Sequence, residues 1–195
     1  LHDLGYTRQR AFGIETAGGT RNATLSLRAG RVRAVEIEMG RASVGATWTL
    51  RIDGQLLDVI PVSIGNPHCV VFVDAIDDSA LLRLGPALET PPRFPERSNV
   101  QLAHVSTRRR IELRIWERGV GATLSSGSSS CAAAAAAFAR GLVDNRVDAH
   151  MPGGRLSLRI GADLDVRMKG PATPVFRGFL FSADGSAPMT TLGTP

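Results

Sequence analysis

WERGVGATLSSGSSSCAAAAAAFAR, residues 116–140, is the stretch whose reading decides the fold. It opens as the end of a strand carrying the charged pair Glu117 and Arg118. It crosses a glycine-bearing turn at residues 119–121 and enters a run of small hydroxyl residues, Ser125 to Ser130, broken only by Gly127. Cys131 and six alanines then begin a helix. A strand feeding a Ser/Gly-rich turn and a helix N-terminus gathers backbone N–H donors about one point, where an anion can sit. With Glu117 and Arg118 just ahead of that turn, the stretch reads as half of a site for a small anionic substrate. A Ser/Gly linker before a surface helix is the plainer alternative, but a linker does not need a helix that is apolar on every side. Such a helix must be surrounded by protein, and its small side chains let a sheet close round it.

The rest of the chain supplies that sheet. Ala23, Leu25 and Leu27 alternate, Ala29-Gly30 turns, and Val35, Ile37 and Met39 alternate back. Residues 47–52 alternate through Trp48, Leu50 and Ile52, Asp53-Gly54 is a strong hairpin turn, and residues 55–64 return. These are antiparallel meanders rather than βαβ units. Cys69 to Val73 is an unbroken apolar run, as expected of a strand buried on both faces. Ahead of it, Gly65-Asn66-Pro67-His68 holds an amide and an imidazole at the strand mouth; a turn with a structural histidine fits equally well. Residues 77–84 suit a short helix capped by Asp78 or Ser79. The Pro-rich segment 91–102 ends in Ser98-Asn99 and suits either a rigid presentation of Asn99 or a plain surface loop. Ile111, Leu113 and Ile115 alternate into Glu117. Beyond the helix, Pro152-Gly153-Gly154 turns, residues 155–160 and 164–168 form another hairpin, and 175–181 reads as a final strand before a small, polar tail. Leu1, Leu4 and Gly5 look like the last turn of a helix closed by a glycine. The same punctuation recurs at Gly141. The expected architecture is α+β: a curved or barrel-like sheet wrapped on one central Ala-rich helix.

Composition narrows the function. The 195 residues are 43% hydrophobic but only 5% aromatic, so aliphatic side chains must build the core. The net charge is +5, and of 23 basic residues only Lys169 is lysine. Arg108, Arg109 and Arg110 form the one dense basic cluster, with no aromatic partner beside it, which argues against nucleic acid. Two cysteines, Cys69 and Cys131, make neither a disulfide framework nor a metal site by spacing. No apolar run is long enough to span a bilayer, no signal peptide is evident, and a reducing cytoplasm is the default expectation.

Taken together, IGNPHCVVFVD, FPERSNV, WERGVGATLSSGSSSCAA and MPGG follow one another in the order and spacing of diaminopimelate epimerase. The chain resembles that family over essentially its whole length. The resemblance implies two similar halves, each a sheet curled round a central helix with the site between them, and most of the first half missing. On that division, residues 1–40 are a remnant of the N-terminal half, 41–175 are the C-terminal half carrying the site, and 176–195 are a final strand that can return to the first half, plus a loose tail. It implies cofactor-independent interconversion of LL- and meso-diaminopimelate by two acid/base groups on opposite faces of the α-carbon. The substrate is a small molecule, no metal is needed, and a homodimer is possible. Residue by residue, Asn66 and Asn99 resemble the amides that hold the distal end of the substrate. Arg118 resembles the carboxylate-binding arginine, and Glu117 the carboxylate that contacts the α-ammonium and assists the catalytic group. His68 resembles the imidazole beside the other half's thiol. Gly127 and Ser128 resemble the residues whose N–H groups cradle the α-carboxylate. Ser126 stands where the family has its catalytic cysteine, and Cys131 falls at the second, non-catalytic position. Serine is a poor two-way acid/base near neutral pH. Alternatives therefore remain: a related epimerase or lyase with a single catalytic thiol, or a non-catalytic binding homologue.

Overall fold

A computed structural model of the chain describes residues 1–16 and 19–176. After a single helical turn at His2–Leu4, closed by Gly5 at φ 79°, the strands β1 (Ala11–Thr16), β2 (Gly19–Arg28) and β3 (Arg31–Arg41) form a meander. Then come β4 (Ser43–Val44), β5 (Trp48–Ile52), β6 (Gln55–Ser63) and β7 (Pro67–Phe72), followed by helix α1 (Asp78–Glu89). Strands β8 (Asn99–Thr107), β9 (Arg110–Glu117) and β10 (Gly121–Thr123) lead into helix α2 (Gly127–Ala139). Strands β11 (Arg146–Met151), β12 (Gly154–Ile160) and β13 (Asp165–Pro171) complete the described fold. The expected turns at Ala29-Gly30 and Asp53-Gly54 both carry positive φ at two successive residues, the pattern of type I′ hairpins.

The sheet runs β3-β13-β12-β11-β9-β8-β7-β6-β4, with β1 and β2 outside β3 and β5 on the far side of β6. Two pairs are parallel, β7–β8 and β9–β11; the rest are antiparallel. Residues 31–44 border both ends of this order. Arg41 pairs with Asp165 on β13, and two residues later Ser43 pairs with Ser63 on β6. One continuous segment thus closes the sheet into a barrel, with no free edge between β13 and β6.

Helix α2 is the barrel's filling. Ser129 to Ala137 are all buried, and the helix touches strands on every side. Its C-terminus ends as a Schellman turn: Gly141, at φ 69°, donates to Phe138 O, and Leu142 donates to Ala137 O. Helix α1 lies outside, and Leu81, Leu84 and Leu88 cover Cys69, Val71, Val100 and Leu102. Strand β7 is therefore buried on both faces, Val70 inward under α2 and Cys69 and Val71 outward under α1. That is what its unbroken apolar run called for.

Several local expectations need correction. Asp77, not Asp78 or Ser79, caps α1: its carboxylate accepts from Ser79 N–H at 2.8 Å. The helix also continues past Leu84 through Pro86 to Glu89, because Leu88 completes its buried stripe. Strands β1, β4, β8, β10 and β11 were not anticipated; β8 begins at Asn99, inside the segment 91–102 read as a connection, β4 and β10 are only two and three residues long, and β1 is mostly exposed and shows no inward alternation. Of the expected final strand at 175–181, Val175 and Phe176 are exposed and outside any strand. Residues 177–195, and with them the tail, lie outside the described residues. The basic cluster is absorbed locally: Arg108 and Arg109 both bond Asp144, at 2.8 and 3.4 Å, and Arg110 pairs with Glu112.

Candidate active site

The barrel interior is apolar below and polar at the mouth where α2 begins. Strand alternation explains this. On β8 the inward residues are Asn99, Gln101 and Ala103, and across the parallel ladder His68 faces Asn99 and Val70 faces Gln101. On β9, Leu113 and Ile115 point inward, with Glu117 next in the same parity at the rim. Each strand thus ends its apolar file in one or two polar side chains, and those ends converge on the start of α2.

Ser126 is the N-cap of α2 in extended conformation (φ −153°, ψ 129°), yet its hydroxyl caps nothing. Its carbonyl accepts the first helical bond from Ser130 N–H at 3.1 Å and a second from Ser130 Oγ at 2.8 Å. The amides of Gly127, Ser128 and Ser129 lie in the first turn, where no intrahelical acceptor exists. The helix dipole adds partial positive charge at that point. The turn before them is held by Gly153, whose N–H donates to Leu124 O at 2.7 Å. A Cβ on Gly153 would sit 3.0 Å from that oxygen and from Ser125 Cβ and Oγ, so the Pro-Gly-Gly turn can approach only because it lacks a side chain.

Asn66, His68, Asn99 and Arg118 are tied together. His68 Nε2 lies 3.0 Å from Asn66 Oδ1. Asn99 Nδ2 donates to Pro67 O at 2.9 Å, and its Oδ1 accepts from Arg118 N–H at 3.1 Å. The Arg118 guanidinium donates to Glu96 O at 2.7 Å and is otherwise exposed. The Glu117 carboxylate, half-buried, makes no hydrogen bond or ion pair with the described residues. Burial pushes the His68 ring down to about 4, with the Arg118 charge acting in the same direction and the Gln101 hydrogen bond opposing, so the ring is neutral at pH 7. Burial pushes the Cys131 and Cys69 thiols up to about 12. Neither can serve as a thiolate, and both are fully enclosed.

Three further residues build the site. Glu89, at the end of α1, accepts from Trp116 Nε1 (2.8 Å), Gly119 N–H (3.0 Å) and Arg97 (3.2 Å), while its carbonyl accepts from Ser98 N–H. It clamps the turn after Glu117 and Arg118 to the loop before Asn99. The Trp116 bond, ahead of the others, holds its carboxyl below the usual range against the cost of burial. A carboxylate at a helix C-terminus opposes the dipole, and that unfavourable placement was the available signal. Gln101 and Ser129 are both fully buried and bond each other at 3.0 Å. The signal for Gln101 was its spacing of two from Asn99 on one strand.

Solved structures share this architecture. A chain described as a predicted epimerase from Pseudomonas aeruginosa superposes with a TM-score of 0.69 at 24% identity, covering 93% of this chain and 71% of that one. A probable proline racemase from Agrobacterium radiobacter gives 0.68 at 16% identity, covering 85% of this chain and 59% of that one. The fold is therefore the one used by this class of racemases and epimerases. The family is narrower still. The diaminopimelate epimerase family model matches residues 60–175. The diaminopimelate epimerase of Desulfitobacterium hafniense is 37% identical over 92% of this chain and 68% of its own length. That of Pseudomonas syringae pv. tomato is 40% identical over 90% and 67%. The chain belongs to the diaminopimelate epimerase family, an isomerase family, and spans about two thirds of the length of these relatives.

Proposed function

We propose that this chain carries one half of a cofactor-independent site that epimerises LL-diaminopimelate to the meso form. What supports this most is the N-terminus of α2: an uncapped first turn, with a Ser126 hydroxyl and, at the rim of the same barrel mouth, a Glu117 carboxylate that have no partner among the described residues. The first-turn amides of Gly127 and Ser128 receive the α-carboxylate and spread the charge that develops when the α-proton leaves. Glu117 holds the α-ammonium. Asn66, Asn99 and Arg118 hold the distal end, Arg118 as a planar bidentate donor. Ser126 occupies the acid/base position on this face, and the opposite face is served by the other half, to which residues 1–40 belong in part. Strand β3 then links the halves. The reading places the protein in the cytoplasm, acting on a small-molecule substrate, with a homodimer possible.

A second reading rests on Ser126 and the enclosed Cys131. With no thiolate available at this face, the site would bind the substrate and exchange its proton from the other face only, as in a one-thiol enzyme, or bind without exchange. Incubation of the full-length protein with LL-diaminopimelate in D₂O separates the readings. Meso product with one α-deuteron is the expected result; exchange with retention indicates the one-base enzyme, and binding without exchange a non-catalytic homologue. Ser126→Cys is expected to raise epimerisation at least about tenfold, since a thiol ionises far more readily than a hydroxyl at pH 7. Unchanged activity in Ser126→Ala would remove serine from the mechanism.

A further inference from the structure

The polar layer at the barrel mouth contains a chain of buried hydrogen bonds whose direction can be deduced. Gln101 Nε2 lies 3.0 Å from Ser129 Oγ and 3.1 Å from His68 Nδ1, and His68 Nε2 lies 3.0 Å from Asn66 Oδ1. Gln101 Oε1 is buried and has no partner among the described residues. Such a chain has two self-consistent directions. In one, the Gln101 amide nitrogen gives one N–H to Ser129 and the other to His68 Nδ1. The imidazole proton is then on Nε2 and goes to Asn66 Oδ1, leaving both N–H groups of Asn66 free. In the other, the Gln101 oxygen accepts from Ser129 and from His68 Nδ1–H. Nε2 then accepts from Asn66, which turns its carbonyl oxygen to the mouth.

The two directions leave different groups orphaned in a fully buried place. The first strands one carbonyl oxygen and leaves the Ser129 O–H, a single donor, without an acceptor among the described residues; the second strands an NH₂ with two donors. Orphaned buried donors are the rarer and costlier defect. The ring is neutral, so it cannot donate from both nitrogens and escape the choice. We infer that Gln101 is a positioning residue for this site: it fixes the His68 proton on Nε2 and thereby turns the Asn66 amide so that its N–H groups face the substrate. A mouth that presents donors at Asn66 suits a carboxylate and disfavours an ammonium. The carboxylate preference rests on the epimerase reading; the tautomer does not.

Histidine ring ¹⁵N spectra of the protein at pH 7 test this directly. The expected wild-type result is a single neutral His68 tautomer protonated at Nε2; protonation at Nδ1 would overturn the inference. In Gln101→Glu the carboxylate can only accept, so a proton is expected on His68 Nδ1. In Gln101→Met, of similar size and without donors, both tautomers are expected. If the Glu variant does not fold, the Met variant decides, and survival of the single Nε2 tautomer in either would sink the proposal. In full-length enzyme, Gln101→Glu is expected to raise KM for diaminopimelate about tenfold, the worth of one hydrogen bond to a charged group, with kcat changed less. A moved tautomer with unchanged KM would count against Asn66 as a carboxylate contact and leave the role of Gln101 standing.

Discussion

His68 shows how one ring can govern both the site and the stability. In the unfolded chain it titrates near 6.5, in the folded protein at about 4. Above pH 6.5 both states hold it neutral and it contributes nothing. Between 6.5 and 4 only the unfolded chain takes up the proton, so stability falls with falling pH; below 4 both states are protonated and the loss is complete. At 1.36 kcal/mol per pH unit the total is about 3 kcal/mol. Urea unfolding at pH 7 and pH 4 is expected to show this loss, reduced by most of that amount in His68→Gln. Equal acid sensitivity in both proteins would mean that the ring is not held neutral. Ser126 is the opposite case, a residue whose hydroxyl is not enlisted by the fold. An N-cap serine normally accepts from the first turn; here the carbonyl takes its usual bond from Ser130 N–H, but the Oγ accepts nothing among the described residues.

Helix α1 and strand β9 meet where glycine and tryptophan share a volume. A Cβ on Gly85 would lie 2.6 Å from Trp116 Cδ2, within the indole rather than at a flexible tip. Gly85→Ala would ordinarily gain about 1 kcal/mol of helix propensity. Here the indole must move, and it carries the hydrogen bond to Glu89 that steadies the Arg118 turn. The expected outcome of thermal unfolding is therefore a net loss, about 1–3 kcal/mol for overpacking, together with weaker substrate binding; a stabilised variant would contradict the contact. How much of this was legible varies by element. The α2 filling, the doubly buried β7 and the two hairpin turns followed from periodicity and turn chemistry, whereas Asn66, His68, Asn99 and Arg118, which the structure ties together, were singled out by the family resemblance rather than by the local pattern. Strand β11 was legible but unread: Val147, Ala149 and Met151 alternate with the polar Asp148 and His150, a period-two signal only five residues long. Strand β10 is too short to show a period. Glu89 and Gln101 were missed because a polar residue buried by partners far along the chain leaves no local pattern, only a misplaced charge or a parity.

On the scale of the whole molecule, stability should be graded from the barrel outward. Strand β1 pairs only with β2, and five of its six residues are exposed. Strands β8 and β9 are held on both sides and pack on α2 and α1. Native-state hydrogen exchange is expected to open β1 first and α2 with β8 and β9 last; protection of β1 equal to that of β9 would mean a more extended cooperative unit. Closure by the single segment 31–44 also ties residues that border β13 to residues that border β6, so loosening at Ala42 would open the ring at once on two sides. A last consequence belongs to the alanine run. Six methyl groups in a row offer the barrel no feature by which one helical position differs from the next. The run acts as a gauge. Its length sets how high the first-turn amides stand above the barrel floor and which way they point. Deleting one alanine would lower them by about 1.5 Å and swing them through about 100°. The alanine lining itself would change little, but the buried Ser129–Gln101 bond would be lost and the cradle would turn its back on Arg118.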